Sequence, residues 1–128
     1  MGGELSRVML AIMGAAHTPK GSSSDGVGTL VFDEVDAGIG GQTARAVGEQ
    51  LRALAGRRQI LCITHQPQIA SMAERHFRIA KDTGADVAFT TVEELRADEI
   101  VAELVRMLGA DPADLAARRH AKQLLAAA

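Results

Sequence analysis

The chain has 128 residues, 47% of them hydrophobic and only 2% aromatic, and its formal net charge is −2. That length supports one domain with a modest, aliphatic core and argues against wholesale disorder. The scarcity of aromatics argues against a base-stacking surface for single-stranded nucleic acid, and the charge against a global basic field for phosphate backbones. Arg57-Arg58 and Arg118-Arg119 are local pairs suited to solvating a surface. The single cysteine, Cys62, lies inside an aliphatic run and reads as a reduced core thiol. No apolar stretch is long enough to span a membrane and no leader pattern opens the chain, so a cytoplasmic protein is expected.

Met1-Gly2-Gly3-Glu4-Leu5-Ser6 runs straight into a helical pattern, with Leu5, Val8, Met9, Ile12 and Met13 on one face. Natural domains seldom begin mid-motif, so Met1 is expected to be an added start on an internal fragment. Residues 14–28 are polar and rich in Gly, Ser and Pro, and a flexible loop is expected there. Val27 to Phe32 then reads as a buried strand of a parallel sheet, ending in Asp33-Glu34. A glycine-rich turn from Val35 to Gly41 leads into a helix with Ala44, Val47, Leu51 and Leu54 on one face.

Gln59 to Thr64 reads as a second buried strand, followed at once by His65. Pro67 opens a short helix through Ala73. His76 to Ala80 and Val87 to Val92 read as further strands with a turn over Asp82-Thr83-Gly84-Ala85. Ile100, Val101, Leu104, Val105 and Leu108 predict a helix that stops at Gly109. Asp111-Pro112 caps and starts the last helix, to about Ala126. Strands alternating with helices mean an α/β layer with a parallel sheet, and two parallel strands are too few to finish one.

The chemistry gathers where the apolar strands end. Ligands of open α/β sheets bind at the carboxyl edge. An Asp at position 33 can hold Mg²⁺ directly or through its water, and a Glu at position 34 can accept a proton from an attacking water. An acidic pair at a strand end is equally how a strand terminus is solvated or a helix capped. If the two strands are parallel neighbours, His65 lies near both acids and can donate to a terminal phosphate. Otherwise it is a polar residue leaving a strand. Gly2 and Gly3 ahead of a helix can present N–H groups to a phosphate, or form an ordinary terminus. Gly38, Gly40 and Gly41 suit a loop that approaches something closely, or a plain turn. His17, His76 and His120 have no metal-ligand spacing with one another or with Cys62 and read as surface or structural.

A phosphate-cradling loop needs Gly-x-x-x-x-Gly-Lys-Ser/Thr. The nearest stretch, Gly14 to Gly21, has Pro19 for the second Gly and Gly21 for the Ser/Thr, with no strand before it. It is not a P-loop.

Taken in order, Gly2-Gly3-Glu4-Leu5-Ser6-Arg7, Val31-Phe32-Asp33-Glu34-Val35-Asp36-Ala37-Gly38-Ile39-Gly40-Gly41 and Cys62-Ile63-Thr64-His65-Gln66-Pro67-Gln68-Ile69-Ala70 form a specific set. His76-Phe77-Arg78-Ile79 with Lys81, and Arg106-Met107-Leu108-Gly109, extend it. The chain resembles the carboxyl-terminal lobe of an ABC/SMC-type P-loop ATPase head, and most closely the RecN family of DNA repair proteins. The resemblance covers nearly the whole chain outside residues 14–28. It implies an α/β fold: a partial parallel-sheet lobe with a β-hairpin and terminal helices, all of 1–128 forming one lobe.

The resemblance also implies roles. Asp33 would be the Walker B aspartate that orients Mg²⁺, Glu34 the general base, and His65 the switch histidine on the γ-phosphate of ATP. Asp36 and its glycine loop would form the D-loop, which touches an opposing head. Gly2 and Gly3 would belong to the signature motif that closes over ATP held by the other head. The partners implied are the amino-terminal P-loop lobe of the same protein, a second head in an ATP-dependent homodimer, and DNA through the full-length protein, with no membrane. ATP hydrolysis would serve double-strand-break repair and recombination in a nucleoid-associated cytoplasmic protein, and this chain alone would be inactive. Met1 stands where the family has a Ser before the first Gly. Two other readings remain: a transporter-type ABC ATPase fragment, which Glu4 and the Ala37–Gly40 loop disfavour, and a docking or dimerisation module that has lost its chemistry.

Overall fold

A computed structural model describes residues 28–84 and 87–128. The expected first helix, the Gly2-Gly3 motif and nearly all of the 14–28 loop lie outside the described residues. The chain forms two compact units that divide between Met72 and Ala73.

The first unit is built on a β–α–β repeat. Strand β1 (Thr29–Asp33) leads through a loop into helix α1 (Gly41–Ala55), which returns the chain to strand β2 (Gln59–Ile63). A single helical turn, α2 (Pro67–Ala70), follows, with Pro67 at its start where the missing N–H costs nothing. The two strands pair in parallel, Thr29 opposite Gln59 and Asp33 opposite Ile63. Helix α1 buries Ala44, Val47, Gly48 and Leu51, the three-and-four spacing of one helix face. That face meets Phe32, Ile39 and Ile69, with Leu30, Ile60 and Cys62 packed around them. Gly48 lets α1 approach α2 closely: a Cβ there would sit 2.8 Å from the Met72 sulfur and 3.4 Å from the Ile69 Cα.

The strands differ from the buried pair that the sequence suggests. Period-two alternation turns Leu30, Phe32, Ile60 and Cys62 toward α1. The opposite face leaves Val31 62%, Leu61 47% and Ile63 47% exposed. Parallel strands are ordinarily covered on both faces. Among the described residues only one covering layer is present, so the aliphatic composition of β1 and β2 exceeds what this unit buries.

In the second unit, strands β3 (His76–Asp82) and β4 (Phe89–Leu95) form an antiparallel hairpin, each running past the carboxyl end of the apolar run that marks it in the sequence, with β4 starting at Phe89 rather than Val87. Ile79 faces Val92, and Arg78 faces Glu93, with which it forms an ion pair. Polar residues extend the ladder because cross-strand charge pairs stabilise it: Arg75 bonds Glu94 at 2.9 Å and stacks 5.2 Å above Phe77. The Arg75 guanidinium, through that hydrogen bond, holds the Glu94 carboxyl below its ordinary range.

Helix α3 (Asp98–Met107) buries Val101, Leu104 and Val105, and helix α4 (Leu115–Ala126) buries Ala121. The last helix begins later than expected. Asp111 is spent on a turn, accepting from Ala113 N at 2.8 Å, with Asp114 N donating to its carbonyl at 2.9 Å. Asp114 is the cap, its Oδ1 accepting from Ala116 N at 2.9 Å and Ala117 N at 3.1 Å. The α/β class and the hairpin followed by two helices are as the sequence predicts.

Candidate active site

Asp33 closes β1 on its uncovered face, in register with Ile63. The next residues of each strand, Glu34 on one side and Thr64-His65 on the other, therefore emerge together at the carboxyl edge of the parallel pair. Asp33, Glu34 and His65 are all exposed there.

Glu34 leaves the strand at φ 57, in the left-handed region that non-glycine residues seldom adopt. This reversal starts a compact loop. The Glu34 carbonyl accepts from Ala37 N at 3.2 Å, and the Asp36 carbonyl accepts from Ile39 N at 3.3 Å. Gly38, at φ 71, supplies a second left-handed position without a side-chain penalty. Ile39 is then buried in the core, and the Gly40 carbonyl accepts the first bond of α1, from Ala44 N at 2.8 Å.

The loop is tied to the segment after β2 through Asp36, which is fully buried. Its Oδ2 accepts from Thr64 Oγ1 at 2.5 Å and from the His65 backbone N at 3.1 Å. The same oxygen lies 3.2 Å from His65 Nδ1, while 74% of the His65 side chain remains exposed. Thr64 Oγ1 in turn accepts from Gln66 N at 3.0 Å, and Gln66 Nε2 donates to the Ile39 carbonyl at 3.2 Å. The carboxyl ends of both strands are thus clasped by side chains, with Nε2 of the His65 ring on the side away from Asp36.

Within the loop that the D-loop reading assigns to contact with an opposing head, the Asp36 carboxylate itself faces inward, against Thr64 and His65. The reason is local: the two turns after Glu34 carry Asp36 back beneath the edge, where the donors after β2 meet it. The sequence assigns no role to Thr64 or Gln66. A Thr at the end of an aliphatic strand reads as a β-branched strand residue, and only its place before His65 hints at more.

The field of the two acids reaches the strand beneath. The Cys62 thiol is pushed up from its ordinary 9.0 to about 11, by burial first and then by the negative charges of Asp36 and Asp33. It stays a neutral thiol, in keeping with a core cysteine. Among the described residues no group of three His, Cys, Asp or Glu side chains could enclose a metal ion. Mg²⁺ in nucleotide sites needs no such cage, since it is held by one or two carboxylates together with phosphates and water. An exposed Asp33 at a strand's carboxyl end fits that mode.

No protein-family model matches the chain. In fold it resembles a solved chain reported with the ATP-driven dimerization and DNA stimulated activation of SMC ATPases, at a TM-score of 0.63 and 17% identity, over 87% of this chain and 63% of that one. The fold is therefore similar to that of the solved SMC ATPase chain, represented among the described residues by a parallel pair, a hairpin and terminal helices. Sequence narrows it further. The chain is 44% identical over 126 residues to the DNA repair protein RecN of Treponema pallidum. It is 46% identical over 125 residues to RecN of Bacillus subtilis, and 46% identical over 127 residues to RecN of Deinococcus radiodurans. These matches cover 97–98% of the chain but only 21% of each relative. Over the carboxyl-terminal part that it spans, the chain is similar to the RecN proteins. Among the described residues no helix is long and apolar enough to cross a membrane.

Proposed function

We propose that this chain supplies the acidic half of an ATP-hydrolysing, SMC-like head that works in DNA double-strand-break repair and recombination. The observation that carries the reading is the pairing of β1 with β2, which delivers Asp33, Glu34 and His65 to one exposed edge. Asp33 orients a Mg²⁺ bound with the nucleotide, and that ion would screen the charge of the transferring phosphoryl group. Glu34 takes the proton of the attacking water. His65 meets the γ-phosphate with the ring nitrogen that faces away from Asp36.

No P-loop is present in this sequence, so the phosphates are cradled by an amino-terminal lobe of the same protein. ATP is enclosed when a second head docks, with Gly2 and Gly3 belonging to the motif that closes over it. DNA is engaged by the full-length protein, in the cytoplasm and on the nucleoid. By this reading the chain alone does not hydrolyse ATP.

The test supplies the amino-terminal lobe as a second chain and measures phosphate release. Activity is expected only with both chains, and Glu34→Gln is expected to lower it by orders of magnitude. Undiminished turnover by the Glu34→Gln pair would remove Glu34 as the base.

A further inference from the structure

We infer that Asp36 and Thr64 are positioning residues for His65: the buried carboxylate, oriented by the threonine hydroxyl, sets the imidazole in the tautomer with hydrogen on Nδ1 and leaves Nε2 as the nitrogen offered outward. The inference rests on the proposed function only for what meets Nε2. The ring state itself is a property of the β1–β2 edge.

Three groups converge on one oxygen. Asp36 Oδ2 takes the Thr64 hydroxyl at 2.5 Å and the His65 backbone N–H at 3.1 Å, and His65 Nδ1 stands 3.2 Å away. A carboxylate oxygen carries no hydrogen to give, so it meets the third group only as an acceptor. At that distance it repels a lone pair on Nδ1 and attracts a hydrogen there. A free imidazole side chain prefers its hydrogen on Nε2, so this contact reverses the ordinary preference. The carboxylate cannot swing away, because Asp36 is fully buried and its backbone is held in the turn to Ile39. His65 cannot slide either, since its own N–H is bound to the same oxygen. Thr64 acts through Asp36: its hydroxyl donates to Oδ2 while its oxygen accepts from Gln66 N at 3.0 Å.

The consequence is chemical. With hydrogen on Nδ1, the neutral ring offers a lone pair at Nε2 and accepts from a water or hydroxyl. It donates at Nε2 to a phosphate oxygen as the imidazolium, with the Asp36 carboxylate beside Nδ1 as its counter-charge. This is the arrangement by which an outer carboxylate tunes a functional histidine, assembled from residues on two different strand-to-loop junctions.

The test reads the tautomer directly. The full chain is labelled with ¹⁵N-histidine, and ring nitrogen shifts are recorded by long-range ¹H–¹⁵N correlation where the His65 titration curve shows a neutral ring. His65 is assigned by the signal lost in His65→Gln. The wild type is expected to show hydrogen on Nδ1. Asp36→Ala is expected to move it predominantly to Nε2, Thr64→Val to give a mixture, and Asp36→Asn, which keeps a carbonyl acceptor, to retain Nδ1–H. A wild-type ring with hydrogen on Nε2 overturns the inference without any variant, so the test survives if Asp36→Ala does not fold. A folded Asp36→Ala chain that keeps Nδ1–H overturns it as well. None of these measurements uses nucleotide. Hydrolysis that survives His65→Ala in the two-chain head sinks the phosphate role of His65 and leaves the tautomer result untouched.

Discussion

Thr64 donates a 2.5 Å hydrogen bond to Oδ2 of Asp36, 28 residues earlier in the chain, and so ties the end of β2 to the loop after β1. Thr64→Val keeps the shape and removes the hydroxyl. It takes one donor from a buried carboxylate and the acceptor from Gln66 N–H. Leaving buried polar groups short of partners costs about 1–3 kcal/mol. A fall of that size is expected in urea unfolding, with Thr64→Ser recovering most of it. An unchanged midpoint would mean the bond contributes nothing to the fold.

At position 34 the usual order of alanine over glycine should reverse. Glu34 sits at φ 57, where any residue with a Cβ is strained by roughly 1 kcal/mol and glycine is not. Glu34→Gly is therefore expected to be more stable than Glu34→Ala by about 1 kcal/mol in thermal unfolding. Both are expected to lose hydrolysis in the two-chain head. A site that keeps a strained glutamate where glycine folds better is consistent with a residue retained for its carboxylate.

Cys62 gives a pH signature. Its folded thiol titrates at about 11 rather than at 9.0, because burial and the charges of Asp36 and Asp33 disfavour the thiolate. The folded state thus holds its proton more tightly than the unfolded state does. Its contribution to stability is complete below the unfolded value and is lost as pH rises from 9.0 through about 11. The folded chain is expected to react slowly with iodoacetamide at pH 8 and the urea-unfolded chain quickly. In Cys62→Ala the alkaline fall in stability should be shallower. Equal alkylation rates folded and unfolded would contradict the shift.

The uncovered face of the parallel pair separates folding from assembly. Val31 and Leu61 are 62% and 47% exposed, so Leu61→Gln removes little buried area within this unit. A stability loss under about 1 kcal/mol is expected. Co-purification with the amino-terminal lobe is expected to weaken markedly, since a finished parallel sheet is covered on both faces. If Leu61→Gln unfolds the chain, that face is already covered within it.

The terminal helix offers a local test. Asp114 caps two backbone N–H groups of α4, so Asp114→Ala is expected to cost about 1 kcal/mol and Asp111→Ala less. Circular dichroism melting of the two variants distinguishes them.

Much of this molecule is legible in one dimension. The two strands are marked by short apolar runs, Val27 to Phe32 and Gln59 to Thr64, and the helix faces of α1 and α3 by recurrence every three or four residues. Asp33, Glu34 and His65 stand out because polar residues that end aliphatic strands reach the edge where ligands bind. The inward turn of Asp36 was not legible. A loop has no period, so the direction of its side chains depends on partners elsewhere, here Thr64 and the His65 N–H. Nor could the exposed face of Val31 and Leu61 be read, since an aliphatic strand looks the same whether one neighbour covers it or two. The sequence by itself determined which residues reach the edge. Only the tertiary structure decided that Asp36 is buried beneath it, because that placement depends on the register between two strands that are distant in the chain.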